Sequence, residues 1–456
     1  MVMKRTKTRF TGTLIALTGM MGASVSVASP VSDWFSKDKA DRGPVTELMK
    51  GEKLDTVDAV TEAKKKVWQA YKEGAIKRGW DKGIPKELGG MEKWVQDKTI
   101  SPLRAKVGDK EMLYIILEKG EKPEGGWPIY VTLHGGGGNA RAKGPHSWGV
   151  NTNEWYAQMS LTTNTWESPG LYIIPRMADD REGRWYYGYN QIFIDRLIQQ
   201  AILFHDVNPD KVFLQGISEG GYTAFRLGSM MADRWAGSCA MAAAEPLNTS
   251  PPENLRHVAF RCGIGEKDTM FDRHILARNY FKKLAELAKA HPGEYVNFHD
   301  EQKGRGHGIE YKSGPTWVSQ HTRNAVPKSV TWTVIKQHDR HRNRLYWLAI
   351  DGKQEVLPLT LNADANKETN VIEISATMTK HRKDQPTLFG VPAKGIDLRI
   401  YLSDTLVDLS KEVTINVNGN RRFKGMVTPS MEAIILSTAE RGDPKQVFSA
   451  QVKLKL

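Results

Sequence analysis

The chain has 456 residues, 40% of them hydrophobic and 26% charged, and carries a formal charge of +13. It is too long for one ordinary domain and too apolar for a disordered chain, so a large core with a smaller accessory unit is expected. Lys and Arg alternate with Asp and Glu along the whole length, which argues against nucleic acid as a partner, and two cysteines are too few for a disulfide framework or a thiolate zinc site.

Residues 1–28 have the three-part form of a secretory signal: a basic stretch from Lys4 to Arg9, an apolar run from Leu14 to Val27, and small residues at Ser26 and Ala28. Cleavage after Ala28 would leave a mature chain of about +9. No Cys follows the run, which argues against a lipid anchor. No later stretch approaches about 18 consecutive apolar residues, so stable membrane insertion is not expected. The expected location is secreted or periplasmic.

Residues 29–110 are polar and charged. Val60, Ala63, Val67, Ala70 and Tyr71 recur at helical spacing, which predicts a helix over Val57 to Lys77 packed on the main domain. From Met112 short apolar runs alternate with amphipathic segments, the texture of a parallel sheet with crossover helices. Strands are predicted at Met112 to Leu117, Ile129 to Leu133, Leu171 to Ile174, Val212 to Leu214, Ser238 to Ala243, Val258 to Cys262 and Tyr295 to Phe298. Helices are predicted at Ile192 to Phe204 and Arg278 to Ala290. Residues 111–327 thus form an α/β catalytic domain. Cys239 and Cys262 fall in two of its strands and are expected to be buried thiols. Residues 328–456 alternate as strands do, at Ser329 to Val334, Leu345 to Ile350, Val371 to Ala376, Ile396 to Leu402, Val413 to Val417 and Ala433 to Leu436. Asn418-Gly419 is a hairpin turn signal. An all-β, sandwich-like accessory domain is expected there.

Gly216-Ile217-Ser218-Glu219-Gly220 follows a predicted strand and precedes a helix-compatible stretch. A strand turning sharply into a helix forces its middle residue into a strained backbone and lifts its side chain from the fold, so Ser218 is the candidate nucleophile. Upstream, a strand ends in His134-Gly135-Gly136-Gly137-Gly138. Glycine N–H groups there could stabilise an oxyanion, with Gly136 or Gly137 giving one donor and Glu219 the other. His134 is read as a brace for that loop. His307, framed by glycines after the last predicted strand, is the candidate base. Asp268, just past Val258 to Cys262, is the candidate acid, with Glu245 as its rival. Arg176, Trp185 and Tyr187, in a cluster with Tyr186 and Tyr189, are candidate substrate contacts. No metal or cofactor is expected: the paired His338 and His341 lie in a charged stretch, and the glycine run lacks the Lys-Ser/Thr of a phosphate loop.

The segments WPIYVTLHGGGGN (127–139), QGISEGGY (215–222) and GRGHGIE (304–310) resemble secreted bacterial α/β-hydrolases described as esterases or peptidases, and are more distantly similar to polyhydroxybutyrate depolymerases and feruloyl esterases. The likeness runs roughly from Val57 to Leu348. It implies an α/β-hydrolase fold, a Ser218-His307-Asp268 triad and a carboxylic ester substrate, either a small molecule or a polymer such as polysaccharide or polyester. Two other readings stand beside it: a peptidase of the prolyl oligopeptidase type, and an inert protein whose β domain binds a glycan.

Overall fold

The computed structural model describes residues 30–48, 53–84, 101–352, 359–382 and 385–456, so the expected leader at 1–28 lies outside the described residues. The central sheet has eight strands: β1 (Leu103–Val107), β2 (Lys110–Lys119), β3 (Trp127–Leu133), β4 (Gly170–Pro175), β5 (Val207–Ile217), β6 (Gly237–Met241), β7 (Ala259–Gly265) and β8 (Asn297–Gln302). Their order is β1-β2-β4-β3-β5-β6-β7-β8. The β1–β2 and β2–β4 pairs are antiparallel, and every pair from β4 across to β8 is parallel. This order and polarity is the α/β-hydrolase fold. Strands β4, β6 and β7 are buried at every residue, because helices cover both faces of a parallel sheet and leave no wet side. Cys239 and Cys262 are buried there as free thiols.

The described helices are α1 (Pro30–Ser36), α2 (Val57–Lys77), α3 (Gly149–Asn164), α4 (Gly188–Phe204), α5 (Glu219–Met230), α6 (Arg273–Ala290), α7 (Ser313–Val318) and α8 (Met431–Arg441). Helix α2 has the bounds its periodicity predicts. Its Thr56 cap accepts a hydrogen bond from the Ala59 N–H at 3.1 Å, which satisfies an otherwise orphaned donor. Its buried face of Ala63, Val67, Ala70 and Tyr71 packs with Leu203 of α4 and with Met431, Ile434 and Ile435 of α8. The N-terminal segment therefore joins the sheet unit to the C-terminal region rather than covering the former alone. No helix among the described residues is long and apolar enough to cross a membrane.

After residue 328 the chain forms β9 (Ser329–Val334), β10 (Lys336–Gln337), β11 (Arg340–His341), β12 (Arg344–Leu345), β13 (Leu348–Asp351), β14 (Leu359–Asn366), β15 (Val371–Arg382), β16 (Gln385–Pro392), β17 (Asp397–Leu402), β18 (Val413–Val417), β19 (Asn420–Gly425) and β20 (Ala450–Lys455). They make one sheet ordered β12-β13-β17-β20, another ordered β19-β18-β15-β14-β9 with β16 beside β15, and the small β10–β11 hairpin. Along β14 burial alternates, with Leu359, Leu361, Ala363 and Ala365 inward, as a half-wet antiparallel strand requires. Asn418 and Gly419 take φ of 50° and 76° between β18 and β19, the primed turn their sequence predicts.

Three expectations are corrected. The strand expected at Tyr295 begins at Asn297, because Tyr295 is left-handed at φ 54°. The run Leu345 to Ile350 is broken by Tyr346 at φ 51° into the paired β12 and β13. The run Ala433 to Leu436 lies in helix α8, so the C-terminal region is not all-β. Ser430 caps that helix by accepting from the Ala433 N–H, and left-handed Gly442 ends it. Ile434 is fully buried against α2. Ile434→Ala is expected to cost about 2–5 kcal/mol, read as a lower urea midpoint at unchanged slope.

Candidate active site

Ser218 sits between β5 and α5 with φ 52° and ψ −110°, outside the regions an L residue normally occupies. The turn is held by its N–H, which donates to the Met241 carbonyl at 2.8 Å. It is possible only with a glycine following closely, since a Cβ on Gly220 would lie 2.1 Å from the Leu133 carbonyl oxygen. The side chain is thereby presented at the C-terminal edge of the sheet, where ligands of open α/β sheets bind.

Two loops from neighbouring strand ends reach it. His307, beyond β8, places Nε2 3.1 Å from Ser218 Oγ and Nδ1 2.8 Å from Asp268 Oδ2. Asp268, beyond β7, is buried and also accepts from Arg273 Nη1 at 2.8 Å. With the Nδ1 proton donated to Asp268, Nε2 is left to accept the Ser218 proton. Arg273 Nη1 is 3.2 Å from His307 Nδ1, but both are then donors, so its proton goes to the carboxylate. Arg273 Nε in turn donates to Tyr222 Oη at 2.5 Å. The rival acid Glu245 is engaged elsewhere: Arg226 grips both its oxygens at 2.6 and 3.0 Å, and Thr249 donates to it at 2.8 Å.

The glycine loop after β3 lies against the nucleophile, a Cβ built on Gly135 falling 3.5 Å from Ser218 Cβ. His134 braces it. Its Nδ1–H donates to the Gly135 carbonyl at 2.6 Å and its Nε2 accepts from the Met177 N–H at 3.0 Å. Complete burial holds the imidazole near 3, so it stays neutral and suits both contacts. The Gly137 N–H, one of the expected oxyanion donors, is instead bound to Asn151 Oδ1 at 3.0 Å. That leaves Gly136 and Glu219, whose N–H groups have no partner among the described residues.

Arg176 and Trp185 do not face substrate. Arg176 is 1% exposed and grips Asp180 at 2.6 and 2.8 Å, and Asp180 accepts from Asn151 Nδ2 at 2.7 Å. It thus acts behind the loop, through Asn151. Trp185 is fully buried, with its indole N–H on the His134 carbonyl at 3.0 Å. Tyr187 stacks on His338 at 3.8 Å, against the C-terminal hairpin. Of that aromatic cluster, Tyr186 does line a cavity of about 300 Å³ beside the elbow, together with Arg184, Glu219, Tyr222 and Phe271.

Arg273, Arg184 and Glu154 were not singled out by sequence reasoning. Arg273 follows two consecutive left-handed residues, Phe271 and Asp272, which no local signal announces. Glu154 approaches the loop from α3, its Oε2 2.6 Å from where a Gly135 Cβ would stand, and burial pushes its carboxyl up. Arg184 forms an ion pair with Glu219 Oε2. Glu219 is 2% exposed and its Oε1 has no partner among the described residues, so burial lifts the carboxyl from 4.5 to about 7 despite the opposing pull of Arg184. A raised carboxyl favours the native state when protonated, so this contribution is present below 4.5 and is lost as pH climbs through 7. Glu219→Gln should therefore gain on the parent chain across that window, by on the order of 3 kcal/mol, and level off above it. Thermal melts of both proteins at pH 5 and pH 8 read the difference.

No protein-family model matches the chain. Over 135 residues it is 33% identical to "Putative esterase NocK" of Nocardia uniformis subsp. tsuyamanensis, which is 29% of this chain and 37% of that protein. The chain thus spans about a third of the length of the curated relative it matches. Among solved structures, a thermostable esterase aligns with a TM-score of 0.35 at 16% identity, over 49% of this chain and 63% of that one. The ferulic acid esterase of the anaerobic fungus Anaeromyces mucronatus aligns with a TM-score of 0.32 at 15% identity, over 48% and 87%.

Proposed function

We propose that the chain is a serine hydrolase of carboxylic esters that acts outside the cytoplasm. The observation that carries this reading is the run of hydrogen bonds from Ser218 through His307 to Asp268, at 3.1 and 2.8 Å, built on a strained turn. The esterase description of the Nocardia relative agrees with an ester as substrate. The signal-like pattern of residues 1–28 supports export.

In this reading Ser218 Oγ attacks the ester carbonyl carbon while His307 Nε2 takes its proton. Asp268 holds the ring and stabilises the imidazolium. The carbonyl oxygen becomes an oxyanion facing the N–H groups of Gly136 and Glu219. Collapse expels the alcohol, which receives the proton from His307 and leaves an acyl-Ser218. A water then gives its proton to His307 and its oxygen to the acyl carbon, releasing the acid and restoring Ser218. The substrate is a small-molecule or polymeric ester, with the cavity walled by Tyr186, Tyr222 and Phe271 receiving one side of the scissile bond.

Hydrolysis of nitrophenyl acetate, nitrophenyl butyrate and a feruloyl ester by the chain lacking residues 1–28 tests the proposal. Ser218→Ala is expected to lose about 10⁶-fold in kcat and Asp268→Asn about 10⁴-fold. Ester turnover that survives Ser218→Ala would refute the assignment. Cleavage of prolyl peptides without ester turnover would replace it with the peptidase reading.

A further inference from the structure

A second cavity, of about 630 Å³, opens on another part of the molecule, where α1, the end of α2, the β1–β2 turn, α4 and β11 meet. Arg78, Lys106, Arg196 and Arg340 line it, against the acids Asp38 and Asp195. Asp38 is spent on Arg78 at 2.8 Å. Asp195 is spent on the layer behind, accepting from Arg234 at 2.8 Å and Arg344 at 3.2 Å. The side chains of Lys106 and Arg340 have no hydrogen bond or ion pair among the described residues, and Arg196 Nε is buried without a partner. Trp80 holds two of the guanidinium groups at the wall, with Arg78 4.7 Å and Arg196 5.3 Å from its ring centre. Among the described residues the cavity therefore holds four cationic side chains against two acids, Asp38 and Asp195, both already paired with arginines. Burial holds Arg196 and Arg340 below their ordinary values, helped by Arg78 at the one and opposed by Asp195 at the other, a cost that a bound anion would relieve further.

We infer that this cavity is a binding site for a carboxylated oligosaccharide, separate from the Ser218 site. Its volume lies in the range of organic-ligand pockets and is far more than one small anion fills. The four cations come from four different places in the chain, the end of α2, β1, α4 and β11, instead of one cluster in sequence. Gln199 adds a neutral amide, whose oxygen accepts from Tyr71 at 2.7 Å while its NH₂ has no partner among the described residues, and such a donor suits a sugar hydroxyl. Ile192 and Gln199 lie on α4, whose first turn carries on from the Arg184–Tyr187 loop beside the nucleophile. At 1.5 Å per residue the cavity begins about 6 Å along that helix and ends about 16 Å along it. The binding claim itself is independent of the ester-hydrolysis reading.

Calorimetric titration of the full mature chain with oligogalacturonate, with an uncharged oligosaccharide of equal length and with inorganic phosphate tests it. The oligogalacturonate should bind, the uncharged oligomer should not, and Ser218→Ala should leave binding unchanged. Arg340→Ala should weaken binding about tenfold. Lys106→Ala, at an exposed position, should weaken it several-fold. Equal binding of the uncharged oligomer, undiminished binding by both cavity variants, or loss of binding in Ser218→Ala would each overturn the site. Phosphate binding as tight as the oligomer would overturn the assignment to a sugar acid.

Discussion

At φ 52° and ψ −110°, Ser218 occupies a conformation that costs roughly 1–3 kcal/mol and persists only where its surroundings leave no alternative. Those surroundings account for much of the sequence. The Ser218 N–H is tied to β6 through Met241, and the first turn of α5 lies so close to β3 that only glycine fits at 220. With Ser218 fixed at the end of β5, the placing of Asp268 and His307 beside it follows from strand order, since the loops leaving β7 and β8 are carried past the same sheet edge. The glycine loop after β3 closes the other side. It is set by a buried relay in which Arg176 holds Asp180, Asp180 holds Asn151, and Asn151 bonds both the N–H and the carbonyl of Gly137.

A second constraint is electrostatic. The C-terminal region is locked to the α/β unit by buried charges: Arg344 meets Asp195 of α4, Arg342 meets Asp233, and Arg323 bridges Asp210 and Asp443. Withdrawing ions from water is expensive, so such a lattice adds less to stability than its contacts suggest, and its value lies in fixing how the two parts meet. Burial and the adjacent Arg342 pull Arg344 down to about 9. That crowding of positive charge reaches the surface at Arg340, in the basic cavity beside α4. The same hairpin supplies His338, stacked on Tyr187, so the C-terminal region also borders the loop that shapes the Ser218 pocket.

The elements most legible in the sequence are those whose signal is local. Helix α2 shows its full length through periodicity, and the buried parallel strands show as continuous apolar runs. Ser218, His307 and Asp268 were legible because glycine framing and strand ends mark them. What was hidden depends on the third dimension. The apolar run of α8 reads as a strand until Ser430 and Gly442 are recognised as its caps. Arg176 sits at the end of β4 and Trp185 in the loop that follows, where substrate contacts gather, yet the loop folds both inward. The oxyanion role of Gly137 fails because Asn151, 14 residues on, reaches its N–H first. Arg273 comes to Asp268 only through a left-handed pair of residues with no glycine to announce it.

The central claim, that the strained turn presents Ser218 as an activated nucleophile, is tested most directly by stoichiometric labelling with a fluorophosphonate followed by peptide mapping. One phosphonyl group per chain is expected, carried on Ser218 and lost in His307→Ala. Absence of labelling in the folded protein, or attachment at a residue other than Ser218, would contradict it.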